Sequence, residues 1–376
     1  VSALLHSATM VAAGVYLFAR LFPFFSLSPT ALGVCLAVGT VSMLIASTMA
    51  MVSRDIKQVW AYSTISQLGL MIMGLAAGNY VAGVFHLTTH AAFKALLFLC
   101  SGVFIHAFHS NDMVAIGRQG GRRLRVPMAC LVIAAAALSG IPPFSGFFSK
   151  ELILGALADL PNPLWVAAGL LGAALTTYYT FRLIFIILFP APGGADAVHP
   201  HESEHGHHGG YAVMAWPLVI LATISVVLGF AEKPVAEFLL RPFGSSASAA
   251  THHAWLPYAA LGLSAAAMLL AWFEFGRRGA GQIGFVERLA PLHALFDNRW
   301  YIDRAYRWLL NQVVYRLFSR LCARNDQKVI DGAVDGLGRV IAAGGGRMSI
   351  LHTGMVQYRL IVAFVSIALM AIYFFI

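Results

Sequence analysis

The chain is 376 residues long, 59% hydrophobic and 11% charged, with a formal net charge of +9. Soluble domains carry about 25% charged residues, so the composition excludes an ordinary soluble enzyme and reads as a polytopic membrane protein. The basic excess reads as positive-inside topology rather than nucleic-acid binding. No basic patch interleaves with aromatics, and no glycine-rich phosphate loop follows a strand pattern. Cys35, Cys100, Cys130 and Cys322 stand isolated, without C-x-x-C or ferredoxin-like spacing. That argues against an iron–sulfur cluster or structural zinc.

A transmembrane helix needs about 20 apolar residues. Nine segments are predicted to span, at residues 1–22, 29–52, 58–78, 81–108, 126–158 (broken), 163–189, 211–231, 255–273 and 358–376. Val1 already sits in apolar, helical sequence with no signal peptide before it, so the chain reads as a fragment lacking an N-terminal portion. Charges in the connecting loops alternate. Arg54 and Lys57 follow the second span, and Arg118, Arg122, Arg123 and Arg125 follow the fourth. The turns after the third and fifth spans carry no basic residue. The basic face is the cytoplasmic one, and on this count the last span ends outside.

Taken in chain order, the first span holds His6 among Ser2, Ser7 and Thr9, and Ser63, Thr64, Ser66 and Gln67 line part of the third. In the fourth, His86, His90 and Lys94 recur at i, i+4 and i+8, climbing one helical face beside Thr89. A charge at membrane depth costs roughly 2.5–3.5 kcal/mol on insertion scales and marks an ion or proton path by default. Burial disfavours the charged forms of Lys and His, and His relays protons near neutral pH. The alternative is a set of inter-helix hydrogen bonds that serve packing.

The fifth span is interrupted by Ser139-Gly140-Ile141-Pro142-Pro143-Phe144-Ser145-Gly146. Each proline lacks an N–H and the glycines relax the backbone. Broken helices at midplane are typical of transporter sites. Lys150, with Glu151 next, lies just past the break; a kinked helix with a snorkelling lysine is the alternative. Arg182 near the basic end of the sixth span reads as snorkelling. The run from His199 to His208 reads as a solvated, His-rich loop with at most adventitious metal binding.

Between the last two spans, Asp297–Arg324 is amphipathic, with Trp300, Trp308, Leu309, Val313, Leu317 and Leu321 against Arg304, Arg307, Arg316, Arg320 and Arg324. This is a helix along an interface, or an amphipathic linker. A bend or break is expected at Gly332, Gly336, Gly338 and Gly344–Gly346.

Four motifs carry a resemblance. V-S-A-L-L-H-S-A-T-M-V from Val1, A-Y-S-T-I-S-Q-L-G from Ala61, H-A-A-F-K-A-L-L-F from His90 and F-S-G-F-F-S-K from Phe144 resemble, in order, segments of the proton-pumping membrane subunits of respiratory complex I and of Mrp-type cation/proton antiporters. The P-H-E-S run from Pro200, N-R-W-Y-I-D-R-A-Y from Asn298 and T-G-M-V-Q from Thr353 resemble the distal, largest antiporter-like member of NADH–quinone oxidoreductase.

The resemblance implies an all-α, polytopic transmembrane bundle with one discontinuous helix and a long amphipathic lateral helix. It implies Lys94 as the central proton-relay residue, His86 and His90 as the histidines upstream of it, Lys150 as the group exchanging protons with the outer side, and His6 as a bridge between two half-channels. The family's first half-channel also uses a Glu and a Lys in earlier helices, which this sequence does not contain. Residues 1–190 would be the second half of the proton-translocating core, 191–210 the His-rich loop and 211–283 further transmembrane helices. Residues 284–357 would form the lateral helix region and 358–376 a C-terminal anchor.

The implied activity is that of a non-redox, proton-translocating subunit in a bacterial inner membrane. NADH, FMN, iron–sulfur clusters and quinone would be held by other subunits, with no cofactor or metal in this chain. Its partners would be neighbouring antiporter-like and other membrane-arm subunits, the lipid bilayer and protons, and not nucleic acid. Two alternatives are the large subunit of an Mrp-type Na⁺/H⁺ antiporter and a mainly structural membrane-arm subunit.

Overall fold

Apolar length and a few capping side chains set the helices of this all-α membrane protein. The computed structural model describes residues 2–191, 208–241, 253–277, 283–350 and 354–375. Among the described residues, seven helices are long and apolar enough to cross a membrane. Ser28, Asp55 and Asn79 accept the backbone N–H of Ala31, Gln58 and Ala82 and so start α3 (Pro29–Val52), α4 (Ile56–Ala76) and α5 (Tyr80–Phe108). Each supplies one acceptor to the four orphan donors of a helix N-terminus. α8 (Leu164–Leu188), α10 (Trp255–Ala271) and α12 (Val356–Phe375) are further long apolar helices. α9 (His208–Val227) runs on through helical turns to Leu240.

The fifth predicted span is broken as expected. α6 (Arg125–Ser139) ends at Gly140 with φ +74°, and α7 (Ser145–Ala158) resumes five residues later. The end is a Schellman motif: Ile141 N donates to Ala136 O at 3.0 Å and Gly140 N to Ala137 O at 3.1 Å. The halves press together so closely that a Cβ on Gly146 would lie 1.8 Å from the Ala137 carbonyl oxygen.

The first predicted span is not the single helix expected. It divides into α1 (Ser2–Ser7) and α2 (Ala13–Arg20). Hydroxyls take over carbonyls of the preceding turn, Ser7 Oγ on Ala3 O and Thr9 Oγ1 on Leu4 O at 2.9 Å. Val11 N reaches back to Leu5 O at 3.4 Å. Such hydroxyl-to-carbonyl bonds compete with the helical ladder, and no glycine or proline stands between Ser7 and Ala13.

Backbone pairing places the basic loops together. Ile56 N donates to Asn111 O at 2.9 Å and Met113 N to Arg54 O at 3.0 Å. At the opposite end Asp159 Oδ1 lies 2.8 Å from His253 Nε2. α3 and α4 cross where a Cβ on Gly69 would stand 2.6 Å from Gly39 O, the close small-residue contact membrane helices use.

The core is layered. One apolar cluster holds Ile56, Trp60, Phe93 and Phe104, and another holds Met43, Met71, Phe85 and Ile153. In sequence, α4 passes from the first to the second through Ser63, Thr64, Ser66 and Gln67. α5 passes between them through His86, Thr89 and His90, all buried. The polar layer thus lies between two greasy ones.

Residues 301–376 form a second compact unit. A continuous helix, α11 (302–350), runs through it, with wide turns at Leu310–Phe318 and Asp326–Ile330. It is about 70 Å long at 1.5 Å per residue. It begins later than Asp297 because Arg299, Trp300 and Tyr301 adopt left-handed φ of 54°, 54° and 56°. The expected break at the glycines does not occur; α11 passes through Gly332, Gly336, Gly338 and Gly344–Gly346. One helical glycine costs only about 1 kcal/mol relative to alanine, whereas a break would leave four carbonyls and four amides unpaired.

Candidate functional site

α5 carries the site. His86, His90 and Lys94 are each 0% exposed, and between them they reach α1, α4 and α7. The ammonium of Lys94 donates to Trp60 O at 3.2 Å and sits 5.7 Å from the centroid of the Trp60 ring. Trp60 is itself fixed by its indole N–H on Ser101 Oγ at 2.9 Å.

His90 Nδ1 lies 3.3 Å from the carbonyl oxygen of Ser7, at the first helix break. A carbonyl only accepts, so Nδ1 carries the proton. In the neutral ring the lone pair is then on Nε2, which is buried and has no hydrogen-bond partner among the described residues. That nitrogen is the atom at which His90 can take a second proton.

His86 is held on both sides. Nε2 faces Gln67 Oε1 at 3.1 Å and Nδ1 faces Ser149 Oγ at 2.8 Å. Gln67 in turn donates its amide to Thr176 Oγ1 at 3.3 Å, which fixes its oxygen toward the imidazole. Neutral His86 therefore carries its proton on Nε2 and accepts from Ser149. Ser149 also lies 3.3 Å from Ser145 O and 2.9 Å from Thr89 Oγ1. Its hydroxyl can turn from His86 to Ser145 O if Nδ1 is protonated, because a hydroxyl rotates to suit its partners.

Ser149 immediately precedes Lys150 in α7, the helix that follows the second break. The Lys150 ammonium donates to Leu138 O at 2.6 Å, one of the terminal carbonyls of α6 that the Schellman bonds leave over. A cation at a helix C-terminus is favoured by the dipole as well as by the hydrogen bond. Lys150 is 4% exposed, so it does not snorkel.

Of the five predicted relay residues, three, Lys94, His90 and His86, lie along α5, and His86 contacts Ser149, the residue before Lys150 in α7. His6 is placed differently. Its ring stacks on Phe98 at 5.1 Å, one turn beyond Lys94, and its carbonyl oxygen lies 3.4 Å from Thr64 Oγ1, whose hydrogen goes to Trp60 O at 2.9 Å. The reading of Arg182 as a snorkelling residue is overturned. It is 2% exposed, donates to Ser53 O at 2.8 Å and pairs with Glu287 at 3.4 Å, inside a cluster where Tyr178 OH donates to Glu274 at 2.6 Å. Burial without a partner would cost far more than this pairing.

Reading the sequence missed Ser149, Thr176 and Tyr179. Tyr179 OH donates to Ser63 Oγ at 2.7 Å and is fully buried. The signal available was the hydroxyl run T-T-Y-Y-T inside an otherwise apolar helix. Among the described residues, no group of three or more His, Cys, Asp or Glu could hold a metal ion. The His-rich run from His199 to His207 lies outside the described residues.

A family profile described as "NADH:quinone oxidoreductase/Mrp antiporter, TM" matches residues 1–176. The chain is 34% identical to "NAD(P)H-quinone oxidoreductase chain 5" of Synechocystis sp., over 97% of this chain and 60% of the relative. It is 37% identical to "NADH-quinone oxidoreductase subunit L" of Escherichia coli, over 85% of this chain and 50% of the relative. The chain thus spans about half to three-fifths of the length of these relatives. Among solved structures, the membrane-bound sulfane sulfur reductase, an archaeal respiratory membrane complex, is similar with a TM-score of 0.52 and 26% identity, over 64% of this chain and 48% of that one. With the profile covering both breaks and the α5 stripe, the chain belongs to the family of antiporter-like membrane subunits of NADH:quinone oxidoreductase and Mrp antiporters.

Proposed function

We propose that this chain is the proton-translocating portion of a membrane-arm subunit of NADH–quinone oxidoreductase, of the subunit L type, in a bacterial inner membrane. One observation carries the reading. A single stripe on α5 holds three titratable groups at full burial, and its two histidines contact Ser7, where α1 ends, and Ser149, in the helix after the second break. In this reading residues 1–190 are the second half of the translocating core, 191–210 a His-rich loop, and 211–283 additional spans. Residues 284–357 are the lateral region that lies along neighbouring subunits, and 358–376 the anchor.

The chemistry follows from like charges in a low-dielectric layer. Lys94, His90, His86 and Lys150 are all cationic when protonated, and their repulsion is far stronger at depth than in water. A proton on one disfavours a proton on the next, so charge occupies the stations alternately. A proton accepted by Lys94 passes to Nε2 of His90. A proton that reaches His86 is held at Nδ1, Ser149 then accepting that hydrogen bond and turning its own hydrogen to Ser145 O, and the added charge favours release of a proton from Lys150. Each station stands on a rigid helix, and charge movement along the membrane arm, driven by redox chemistry elsewhere, shifts their relative occupancy. NADH, flavin, iron–sulfur and quinone chemistry belongs to other subunits in this reading.

The test is Lys150→Ala in the full-length parent protein within its complex, with NADH-driven acidification of vesicles followed beside NADH oxidation. The expected result is lost pumping in an assembled complex. Unchanged protons per NADH would remove Lys150 from the path and favour a scaffold. Vesicle acidification driven by a Na⁺ gradient without NADH would favour the Mrp-type antiporter instead.

A further inference from the structure

α6 and α9 lie side by side and run in the same direction. α6 starts at Arg125, on the side of the basic loops. The continuation of α9 passes the second break, where a Cβ on Gly229 would lie 2.9 Å from Ser145 Cα. Between the two helices is an open groove of about 490 Å³, within the roughly 300–1,000 Å³ of ligand pockets. Its walls include Val126, Ala129 and Ile133 from α6 and Val219 and Val226 from α9. Thr223 also borders it but turns its hydroxyl to Val219 O at 2.9 Å, so these walls offer hydrocarbon.

One end is different. Arg125 lines it, and Arg122 and Arg123 stand in the helical turn just before α6. All three are exposed, and none has a hydrogen-bond or ion-pair partner among the described residues. Guanidinium forks match phosphate oxygens two bonds at a time. On α9, Trp216 lies one turn before Val219 and is 68% exposed. Tryptophan is enriched at the level of lipid headgroups, so the charged end of the groove lies where phosphates lie.

The dimensions select the occupant. From Arg125 to Ile133 the groove follows α6 for about 12 Å at 1.5 Å per residue. Its volume over that length gives a cross-section of about 40 Å². A helix about 10–12 Å across needs about 80–110 Å², so a helix of a partner protein does not fit. A hydrocarbon chain is thinner, and basic sites between membrane helices take anionic headgroups.

We propose that this groove holds one acyl chain of an anionic phospholipid from the leaflet on the side of the basic loops, with its phosphate on Arg125, Arg122 and Arg123. The site is separate from the α5 stripe and does not depend on the proton path.

The experiment uses the full-length subunit within its complex, delipidated in detergent, with assembly checked on native gels. Phosphatidylglycerol or phosphatidylcholine carrying a photoreactive diazirine in one acyl chain is added, and labelled peptides are mapped. Phosphatidylglycerol is expected to label residues 125–133 and 219–226, less so as salt is raised. Arg122→Gln, Arg123→Gln and Arg125→Gln combined should weaken binding about a hundredfold, about fivefold for each arginine. The corresponding triple lysine variant keeps the charges and should bind more tightly than the glutamine one. Ala129→Phe puts a ring into the groove and should remove the labelling with the arginines intact. The proposal is overturned if phosphatidylglycerol leaves both segments of the assembled parent unlabelled, if phosphatidylcholine labels them equally, or if labelling survives both the triple glutamine variant and Ala129→Phe. Labelling that appears only once a neighbouring subunit is stripped away would also overturn it, and make the groove a protein interface.

Discussion

Replacing Lys94 by Met separates a lysine kept for proton transfer from one kept for packing. The ammonium makes one hydrogen bond, to Trp60 O, and lies over the Trp60 ring. Losing a charged hydrogen bond costs about 1.5–3 kcal/mol, and losing a desolvated cation–π contact about 2 kcal/mol. Against this, an ion no longer has to be held out of water, a penalty of several kcal/mol. Trp60 O is not orphaned, because Thr64 Oγ1 still donates to it at 2.9 Å. Met keeps most of the stem volume, so no large cavity opens. The terms nearly cancel, and Lys94→Met should lie within about 2 kcal/mol of the parent while pumping is lost. Thermal unfolding in detergent and NADH-driven acidification in proteoliposomes measure the two. A variant that pumps normally but unfolds more than about 3 kcal/mol more easily would make Lys94 a structural residue and refute the argument.

Three further outcomes follow from particular contacts. Gly146→Ala puts a Cβ 1.8 Å from Ala137 O, so the two half-helices must part. It should cost at least about 1–3 kcal/mol, pull Lys150 off Leu138 O and reduce pumping; parent-like stability and pumping together would contradict the geometry. Arg182→Met leaves Glu287 without its buried partner and frees Ser53 O. The complex should lose about 3 kcal/mol, read as a lower unfolding temperature of the solubilised protein. Gln67→Leu removes the acceptor of His86 Nε2 and the donor to Thr176. A loss of about 1–3 kcal/mol should accompany slower pumping, and rapid pumping in that variant would show that the orientation of His86 does not matter.

The α5 stripe was legible because helical period and burial are local facts: His86, His90 and Lys94 share a face wherever the helix lies. The second break was legible for the same reason, since Gly140, Pro142 and Pro143 forbid a continuous ladder whatever surrounds them. The first break has no such mark. Ser7 and Thr9 bond back to carbonyls there, and His90 reaches Ser7 O from 83 residues away. The continuity of α11 through six glycines was also hidden, because each glycine only weakens a helix and the sum is decided by the backbone bonds of the whole segment.

What the sequence by itself determined is the long apolar helices, the second break and the shared face of His86, His90 and Lys94, since hydropathy and period act over one or two turns. Only the tertiary structure decided how those groups connect. Gln67 meets Thr176 across 109 residues, Tyr179 meets Ser63 across 116, and Arg182 meets Glu287 across 105. Such pairings arise because every polar group at membrane depth must find a partner that water cannot supply. The partner is whichever group the packing of distant helices brings within reach.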